Sequence, residues 1–204
     1  KIVVATNGFY QEGLIPEIDG RVLPVISNII VTRPLTNEEL SLHNFNTYAP
    51  IANSKNLLYY YRKLPDNRIL FGTRGDFEGS DQSNQNRAKD MEKFLKNIFP
   101  KWNNLTIDYN WRGLIALSQK LTPSIGKIDN EEIYYGFGYS GVGVSAAPWT
   151  GKQLSKPVFS SNSKDLDIST IYKGLPKKFI FPQLRVFYFK LAVWFYRFKD
   201  KFNI

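Results

Sequence analysis

The sequence contains no cysteine and a single histidine, His43, and these scarcities exclude several kinds of site. Without cysteine there can be no disulfide bond, no thiolate metal site and no cysteine nucleophile. One histidine cannot form a histidine-based metal cluster, so we predict no metal site and expect His43 to be a surface or hydrogen-bonded structural residue. A cysteine-free chain is compatible with a reducing compartment, and we expect a cytoplasmic location.

The chain also lacks any apolar run close to the ~18 residues that a membrane-spanning helix needs. Its opening stretch, KIVVATNGFY, is too briefly apolar for a signal peptide and indicates a strand followed by a turn. We therefore predict no stable membrane insertion. With 43% hydrophobic and 22% charged residues in 204, the composition is that of a globular domain with a sizeable core.

Positive charge is in excess, with a formal net charge of +9. Such basicity can indicate nucleic-acid binding. The lysines and arginines are scattered, however, and no basic motif alternates with stacking aromatic residues. We interpret the charge as a solvated surface and predict no nucleic-acid partner; a basic interaction domain remains an alternative function.

Local patterns predict mostly strands, with a few helices. The β-branched stretch RVLPVISNIIVTRPL is extended, and the turn LPDN joins two strands into a predicted hairpin over residues 57–74. In TNEEL, Thr36 precedes Glu39 at the spacing of a capping box, which predicts a short helix. Segment 83–99 predicts an amphipathic helix. Its apolar face would carry Ala88, Met91, Leu95 and Ile98, with Phe94 beside them.

The second half continues the pattern. NLTIDYNWRGLIALSQ and EEIYYGFGY predict strands, a helix would follow from about Ser145 with Pro148 in its first turn, and SSNSKD at 160–165 predicts a loop. A C-terminal helix is predicted from an apolar face formed by Leu184, Phe187, Leu191, Trp194 or Phe195, and Phe198. We expect this helix to be docked on the protein; a helix that lies on a membrane surface is the alternative. The fold class is therefore α+β, with a mainly antiparallel, mixed sheet.

One stretch, YYGFGYSGVGVSAAPWTGK, raises a question about nucleotide binding, because Gly136, Gly138 and Gly141 fit the pattern G-x-G-x-x-G. A dinucleotide site needs a second parallel strand and an acidic residue ~20 positions later. The following sequence, SKPVFSSNSKDLD, is loop-like instead. The glycines do not form a site for an adenine nucleotide, and taken alone they could serve only close packing.

Five motifs then occur in a recognisable order: VVATNGFY, RVLPVISNIIVTRPL, YYRKLPDNRILFGTR, WRGLIALSQKLTPSIGKI and IYYGFGYSGVGV. From Val3 to about Asp200 the chain resembles the D-amino-acid-oxidase-like superfamily of FAD-dependent amine and amino-acid oxidoreductases. The similarity is greatest to its sarcosine oxidase, glycine oxidase and γ-glutamylputrescine oxidase relatives. The resemblance implies oxidation of a C–N bond by hydride transfer to flavin, with a small amine or amino acid as substrate.

The resemblance also implies a domain organisation. Family members begin with a flavin-binding segment that carries its own G-x-G-x-x-G, and nothing in this sequence matches it. We expect the chain to be the C-terminal portion of a flavoenzyme that binds FAD only together with that missing segment and is inactive alone. Residues 1–20 would be a flavin-domain strand and turn, 21–130 the substrate-binding sheet, 131–160 the strand, glycine loop and helix at the flavin, and 161–204 a loop and a docked amphipathic helix.

The family loop that matches GFGYSGVGV passes the pyrimidine end of the flavin ring. Small residues let backbone amides approach a flat ring, and a helix N-terminus favours the negative charge that develops on reduction. Val142 departs from the family, which commonly has histidine there, so a potential polar contact is lost. The cofactor contacts implied by the resemblance are Asn7, Gly8, Gly138, Tyr139, Ser140, Gly141, Val142 and Gly143.

Four residues are candidates for binding the substrate. Arg62 and Arg74 lie on the two arms of the hairpin, and a carboxylate is bound well by a bidentate guanidinium. Tyr60 and Trp111 could line the pocket. An exposed strand arginine, or an aromatic residue packed in the core, is the alternative for each. No catalytic acid or base is predicted, and a non-catalytic module that binds amino acids or polyamines stays as an alternative function.

Overall fold

The computed structural model describes residues 1–75, 77–129, 131–159 and 166–202; the loop predicted at 160–165 lies outside them. The described residues form a mixed sheet, an antiparallel sheet and four α-helices, which confirms the predicted α+β class. The strands are β1 (Ile2–Val4), β2 (Leu23–Thr32), β3 (Ile51–Ala52), β4 (Tyr59–Lys63), β5 (Ile69–Arg74), β6 (Ile107–Leu117), β7 (Ser124–Lys127) and β8 (Ile133–Phe137). The helices are α1 (Asn37–Leu42), α2 (Asp81–Ile98), α3 (Gly143–Phe159) and α4 (Arg185–Phe202).

The chain divides into two compact units. The first unit comprises residues 1–25 and 114–189, and the second comprises residues 26–113 and the C-terminal residues from 190. The finer boundaries that the sequence indicates, at residues 20, 130 and 160, stay predictions.

The first unit contains a three-stranded sheet in the order β1-β8-β7. Strand β1 runs parallel to β8, with Ile2 opposite Ile133, and β7 is antiparallel to β8. Strand β7 was not predicted, because Ser-Ile-Gly-Lys is short and shows no alternation of apolar and polar residues. One core cluster of this unit contains Val4, Ile15, Ile18, Val22, Ala116, Ile128, Tyr135 and Phe137.

The second unit is built on an antiparallel sheet in the order β3-β4-β5-β2-β6. Strands β4 and β5 form the predicted hairpin, with Tyr60 opposite Gly72 and Lys63 opposite Ile69. Helix α2 begins within two residues of its predicted start, which confirms the prediction. The side chain of Ser80 caps the helix by accepting the N–H of Ser83. Its face packs into a core of Ile30, Leu35, Leu40, Phe45, Ile69, Phe71, Met91, Leu95, Phe99, Trp102 and Leu105.

The capping box before α1 is also confirmed. The Thr36 hydroxyl accepts the N–H of Glu39, and the Glu39 carboxylate accepts the N–H of Thr36. A hydrogen bond from Arg33 to that carboxylate lowers the pKa of Glu39 to about 2. His43 follows the helix and accepts the N–H of Lys101 through Nε2 at 3.0 Å, so it is a hydrogen-bonded structural residue, as expected.

Helix α3 begins two residues earlier than predicted. The N–H of Val142 donates to the carbonyl of Tyr139, and the N–H of Ala146 donates to the carbonyl of Val142, so the turn closes before Ser145. Pro148 therefore lies in the second turn and not in the first. There its missing N–H removes one bond from the helix ladder, a cost that a first-turn proline avoids.

Helix α4 forms where it was predicted, but the face chosen from the sequence is not its buried face. Leu184, Phe187, Leu191, Trp194, Phe195 and Phe198 are all exposed, and Val193 is the buried side chain of this helix. Periodicity identifies an apolar face without showing what covers it, and that is the physical reason for the error. Asp200 attaches the helix to the second unit by accepting the N–H groups of Asn56 and Leu57, both at 2.9 Å.

Candidate functional site

The glycine loop, residues 138–142, connects β8 to α3 in the first unit. Gly138, Ser140 and Gly141 have φ of 77°, 50° and 101°, in the left-handed region that favours glycine. The loop is held against β6 because the N–H of Ser140 donates to the carbonyl of Ala116 at 3.0 Å. The Ser140 hydroxyl donates to the carbonyl of Gly138 at 3.2 Å. Backbone conformation, and not a set of large side chains, therefore shapes the loop.

Asn7 and Gly8 lie beside this loop, 131 residues away in sequence. The side-chain oxygen of Asn7 accepts the N–H of Gly138 at 3.1 Å. Asn7 itself has φ 49°, a conformation that asparagine tolerates better than most residues. A Cβ on the buried Gly8 would lie 3.0 Å from Cβ of Leu114, so only glycine fits without displacement. The structure thus brings together the two predicted cofactor segments.

One side of the loop is packed. Tyr139 is buried, its hydroxyl donates to the carbonyl of Gly136 at 3.4 Å, and burial raises its pKa. A Cβ added to Gly138 would lie 3.3 Å from Oγ of Ser118. Sequence reasoning missed Ala116 and Ser118, which support the loop from β6 and the residue after it. The motif that contains these two residues predicts a strand, but it does not show which loop lies beside that strand.

The other side of the loop is open. A Cβ on Gly141 would meet no heavy atom within 4 Å, and Val142 is exposed. Among the described residues, none accepts a hydrogen bond from the N–H groups of Gly141, Gly143 and Val144. These amides surround the N-terminus of α3, where the helix dipole favours negative charge. The arrangement suits the carbonyl edge of a planar, electron-accepting ring.

In the second unit, three of the four predicted substrate residues share the sheet face that points away from α2. Tyr59 and Tyr61 pack against the core beneath α2, so Tyr60 between them points to the opposite side, where its ring covers Gly72. Arg62, two residues further along β4, follows Tyr60 onto that side and is exposed.

Trp111 reaches the same side by the same alternation. Its neighbour Asn110 accepts a hydrogen bond from Asn84 of α2, and its other neighbour Arg112 forms an ion pair with Asp81 of that helix. Trp111 therefore faces away from α2, and it is exposed.

Arg74, the last residue of β5, has different surroundings from those of Arg62. Its guanidinium is 4.7 Å from the ring centroid of Phe77, and it lines a cleft of about 380 Å³ together with Arg87 and Phe94. Arg62 is opposite Leu70, four residues before Arg74 on β5, which separates the two positions by roughly 13 Å along the strand. The structure does not bring the two arginines together.

Comparisons with known proteins assign this chain to a family. A family model described as "DAO: FAD dependent oxidoreductase" matches residues 1–156. The chain is 29% identical over 212 residues to "Probable oxidoreductase OrdL" of Haemophilus influenzae, and 28% identical over 206 residues to "Gamma-glutamylputrescine oxidoreductase" of Escherichia coli. These alignments cover 99% and 100% of this chain but only 45% and 46% of the two relatives.

Solved structures share the fold. L-proline dehydrogenase from P. horikoshii matches with a TM-score of 0.58 and 20% identity, over 81% of this chain and 44% of that one. A thermally stable mutant of fructosyl peptide oxidase matches with a TM-score of 0.60 and 10% identity, over 88% and 46%. At these identities the likeness shows the fold alone.

Proposed function

We propose, from the premise that this chain belongs to the DAO family of FAD-dependent oxidoreductases, that it is the C-terminal, substrate-binding part of an enzyme that oxidises a C–N bond. The family model spans more than half of the chain, from residue 1 to residue 156. The chain spans about 45% of the length of the curated relatives it matches. We propose an amine or an amino acid as the substrate, since the E. coli relative is named for γ-glutamylputrescine.

The observation that carries the proposal is the open side of the glycine loop. FAD, when bound, would supply the redox chemistry by accepting a hydride from the substrate carbon next to nitrogen. The N–H groups of Gly141, Gly143 and Val144, unpaired among the described residues, would donate to the carbonyl edge of its ring. Because Val142 has no polar side-chain group, the backbone would carry this interaction. The residues present therefore fit the cofactor.

The substrate would lie against the exposed sheet face of the second unit. There the guanidinium of Arg62 would pair with a substrate carboxylate, while Tyr60 and Trp111 would form apolar walls. Arg62 is the better candidate of the two arginines, because the guanidinium of Arg74 stacks on Phe77. We propose no acid or base among these residues; their role is to bind and orient the amine.

The direct test begins with the coding sequence upstream of Lys1. A strand followed by G-x-G-x-x-G and a helix would supply the pyrophosphate site that this chain lacks. The longer protein, here called the parent enzyme, should then purify yellow and reduce a dye acceptor in the presence of amines or amino acids. If a parent protein with bound flavin reduced no acceptor with any amine or amino acid, the oxidoreductase proposal would fail in favour of a binding module.

This chain, purified alone, tests its place in the enzyme. We expect it to be colourless and to bind FAD weakly, since the segment that holds the pyrophosphate would be missing. A yellow preparation with nearly one flavin per chain would contradict its assignment as the C-terminal part.

A further inference from the structure

The second half of α4 carries a continuous apolar stripe on its exposed side. At 100° per residue, its five members fall within an arc of roughly 100°. Each is at least half exposed, from 51% for Phe198 to 70% for Trp194. The stripe consists of Leu191, Trp194, Phe195, Phe198 and Phe202.

The stripe is not the face that attaches this helix to the second unit. Val193 is buried and lies roughly opposite the stripe on the helix. Asp200 lies on that same opposite side and accepts three hydrogen bonds from Asn56 and Leu57. Since these contacts fix the rotation of the helix, the stripe points outward because of the docking and not because the helix is loose.

Positive charge borders the stripe. Arg197 and Lys201 lie within about 60° of its edge on one side, and Lys199 borders the other side. Lys190 also lies on the first side, but its Nζ is 5.5 Å from the ring centroid of Phe77. The one acidic residue in this part of the helix, Asp200, is occupied by its hydrogen bonds to the loop at 56–57. An exposed aromatic face between cationic flanks is the composition of a helix that lies in a membrane interface.

We propose that α4 docks on the surface of an anionic bilayer, with the stripe in the acyl boundary and the flanking cations at lipid phosphates. Among the described helices none is long and apolar enough to cross a membrane, so the association is peripheral. A second copy of this chain fits the surface less well, because two stripes facing each other would bring cationic flanks together. The proposal is independent of the reaction proposed above.

Flotation with lipid vesicles tests the proposal on the parent enzyme, with this chain alone as a second sample. Vesicles of phosphatidylcholine mixed with phosphatidylserine should carry the protein upward, vesicles of phosphatidylcholine alone should carry several-fold less, and added salt should reduce the difference. The double variant Trp194→Ser/Phe198→Ser should lose about tenfold or more of its partition into both kinds of vesicle. Its matched control, Leu14→Ser/Ile171→Ser, removes two exposed apolar residues elsewhere and should bind like the unmodified chain.

The charge requirement has its own matched pair. Arg197→Glu/Lys199→Glu should abolish the preference for anionic vesicles, whereas Lys89→Glu/Lys93→Glu, with the same change in net charge on the exposed side of α2, should retain it. Circular dichroism verifies that each variant is folded. Equal binding by the stripe variant and its control, or no vesicle binding by the unmodified parent enzyme, overturns the proposal. Vesicle binding by this chain alone and not by the parent enzyme also overturns it, because the rest of the parent would then cover the stripe. The proposal is also overturned if sedimentation velocity shows that the unmodified protein is a dimer and the stripe variant a monomer, while neither protein binds vesicles.

Discussion

The glycine loop of the first unit and the open sheet face of the second are built by different means. The loop owes its shape to backbone conformation, with three positive φ angles and two N–H groups that donate to Asn7 and Ala116. The sheet face presents the side chains of Tyr60, Arg62 and Trp111. The strands that carry them do not depend on these side chains in order to form. A site made of backbone tolerates few substitutions, while a site made of exposed side chains can be changed with little cost to the fold.

The difference predicts opposite consequences of mutation. Changes at the loop should affect stability and cofactor together, because the same atoms serve both. Changes at the sheet face should affect substrate binding alone. The predictions below test this contrast, beginning with the largest expected effect.

Gly136→Val should give the largest loss of stability. A Cβ at Gly136 would lie 2.5 Å from Cγ2 of Thr150 and 3.3 Å from Cδ1 of Leu154, where α3 packs on β8. Overpacking of this kind costs about 3 kcal/mol, and urea unfolding would measure it. Gly151→Ala is the matched control, because its new methyl group meets nothing within 4 Å and lies inside a helix. An unchanged unfolding midpoint for Gly136→Val would show that this packing is loose.

Asn7→Ala should lower the free energy of unfolding by about 2 kcal/mol. The buried N–H of Gly138 loses its acceptor, and alanine is less stable than asparagine at φ 49°. Asn7→Asp keeps an acceptor oxygen and should cost less. Thermal melting of the two variants distinguishes these cases. If both variants melted like the unmodified chain, the hydrogen bond would not hold the loop, and the contrast with the sheet face would be lost.

The two arginines should differ in the parent enzyme. Arg62→Ala should raise KM for a carboxylated amine by about 10- to 100-fold, since a charged hydrogen bond contributes ~1.5–3 kcal/mol. An uncharged analogue should be affected much less. Arg74→Ala is the natural comparison, and we expect a smaller change because its guanidinium stacks on Phe77. Equal effects of Arg62→Ala on both substrates would remove this residue from a carboxylate site.

Asp200→Asn should have the smallest effect, about 1 kcal/mol, because the carboxylate lies near the surface. Burial raises the pKa of Asp200, but hydrogen bonds from Leu57 and Asn56 outweigh it, so the folded pKa lies below its ordinary value of 3.8. The stabilisation is then fully present above pH ~4 and is lost as the pH falls through the folded pKa. Melting curves of both proteins should differ at neutral pH and converge in acid; a constant gap would contradict this.

Much of the local structure could be predicted because its causes are local. The capping box needs only Thr36 and Glu39 at the right spacing, and the 57–74 hairpin needs two strand-forming runs and a turn. The contact between Asn7 and Gly138 could not be derived from spacing, because 131 residues separate them; the family resemblance alone brought both into one group.

Two features could not be predicted, for the same reason. Periodicity predicts an apolar face on α4 but does not distinguish a buried face from an exposed one. The different surroundings of Arg62 and Arg74 were likewise invisible, since both are strand arginines in sequence. Which neighbour a side chain meets is a property of the folded chain, so side-chain sites were less predictable than the loop.

Gly141→Val in the parent enzyme tests whether the open side of the glycine loop faces the flavin. At φ 101° valine strains the backbone by about 1–3 kcal/mol, so apoprotein melting alone does not decide the question. Gly13→Val supplies the control, because Gly13 has φ 88° and an equally open surrounding but lies outside the loop. Flavin content and apoprotein melting, measured on both variants, should show similar destabilisation and loss of FAD only from Gly141→Val. Equal flavin content in the two variants would contradict the account.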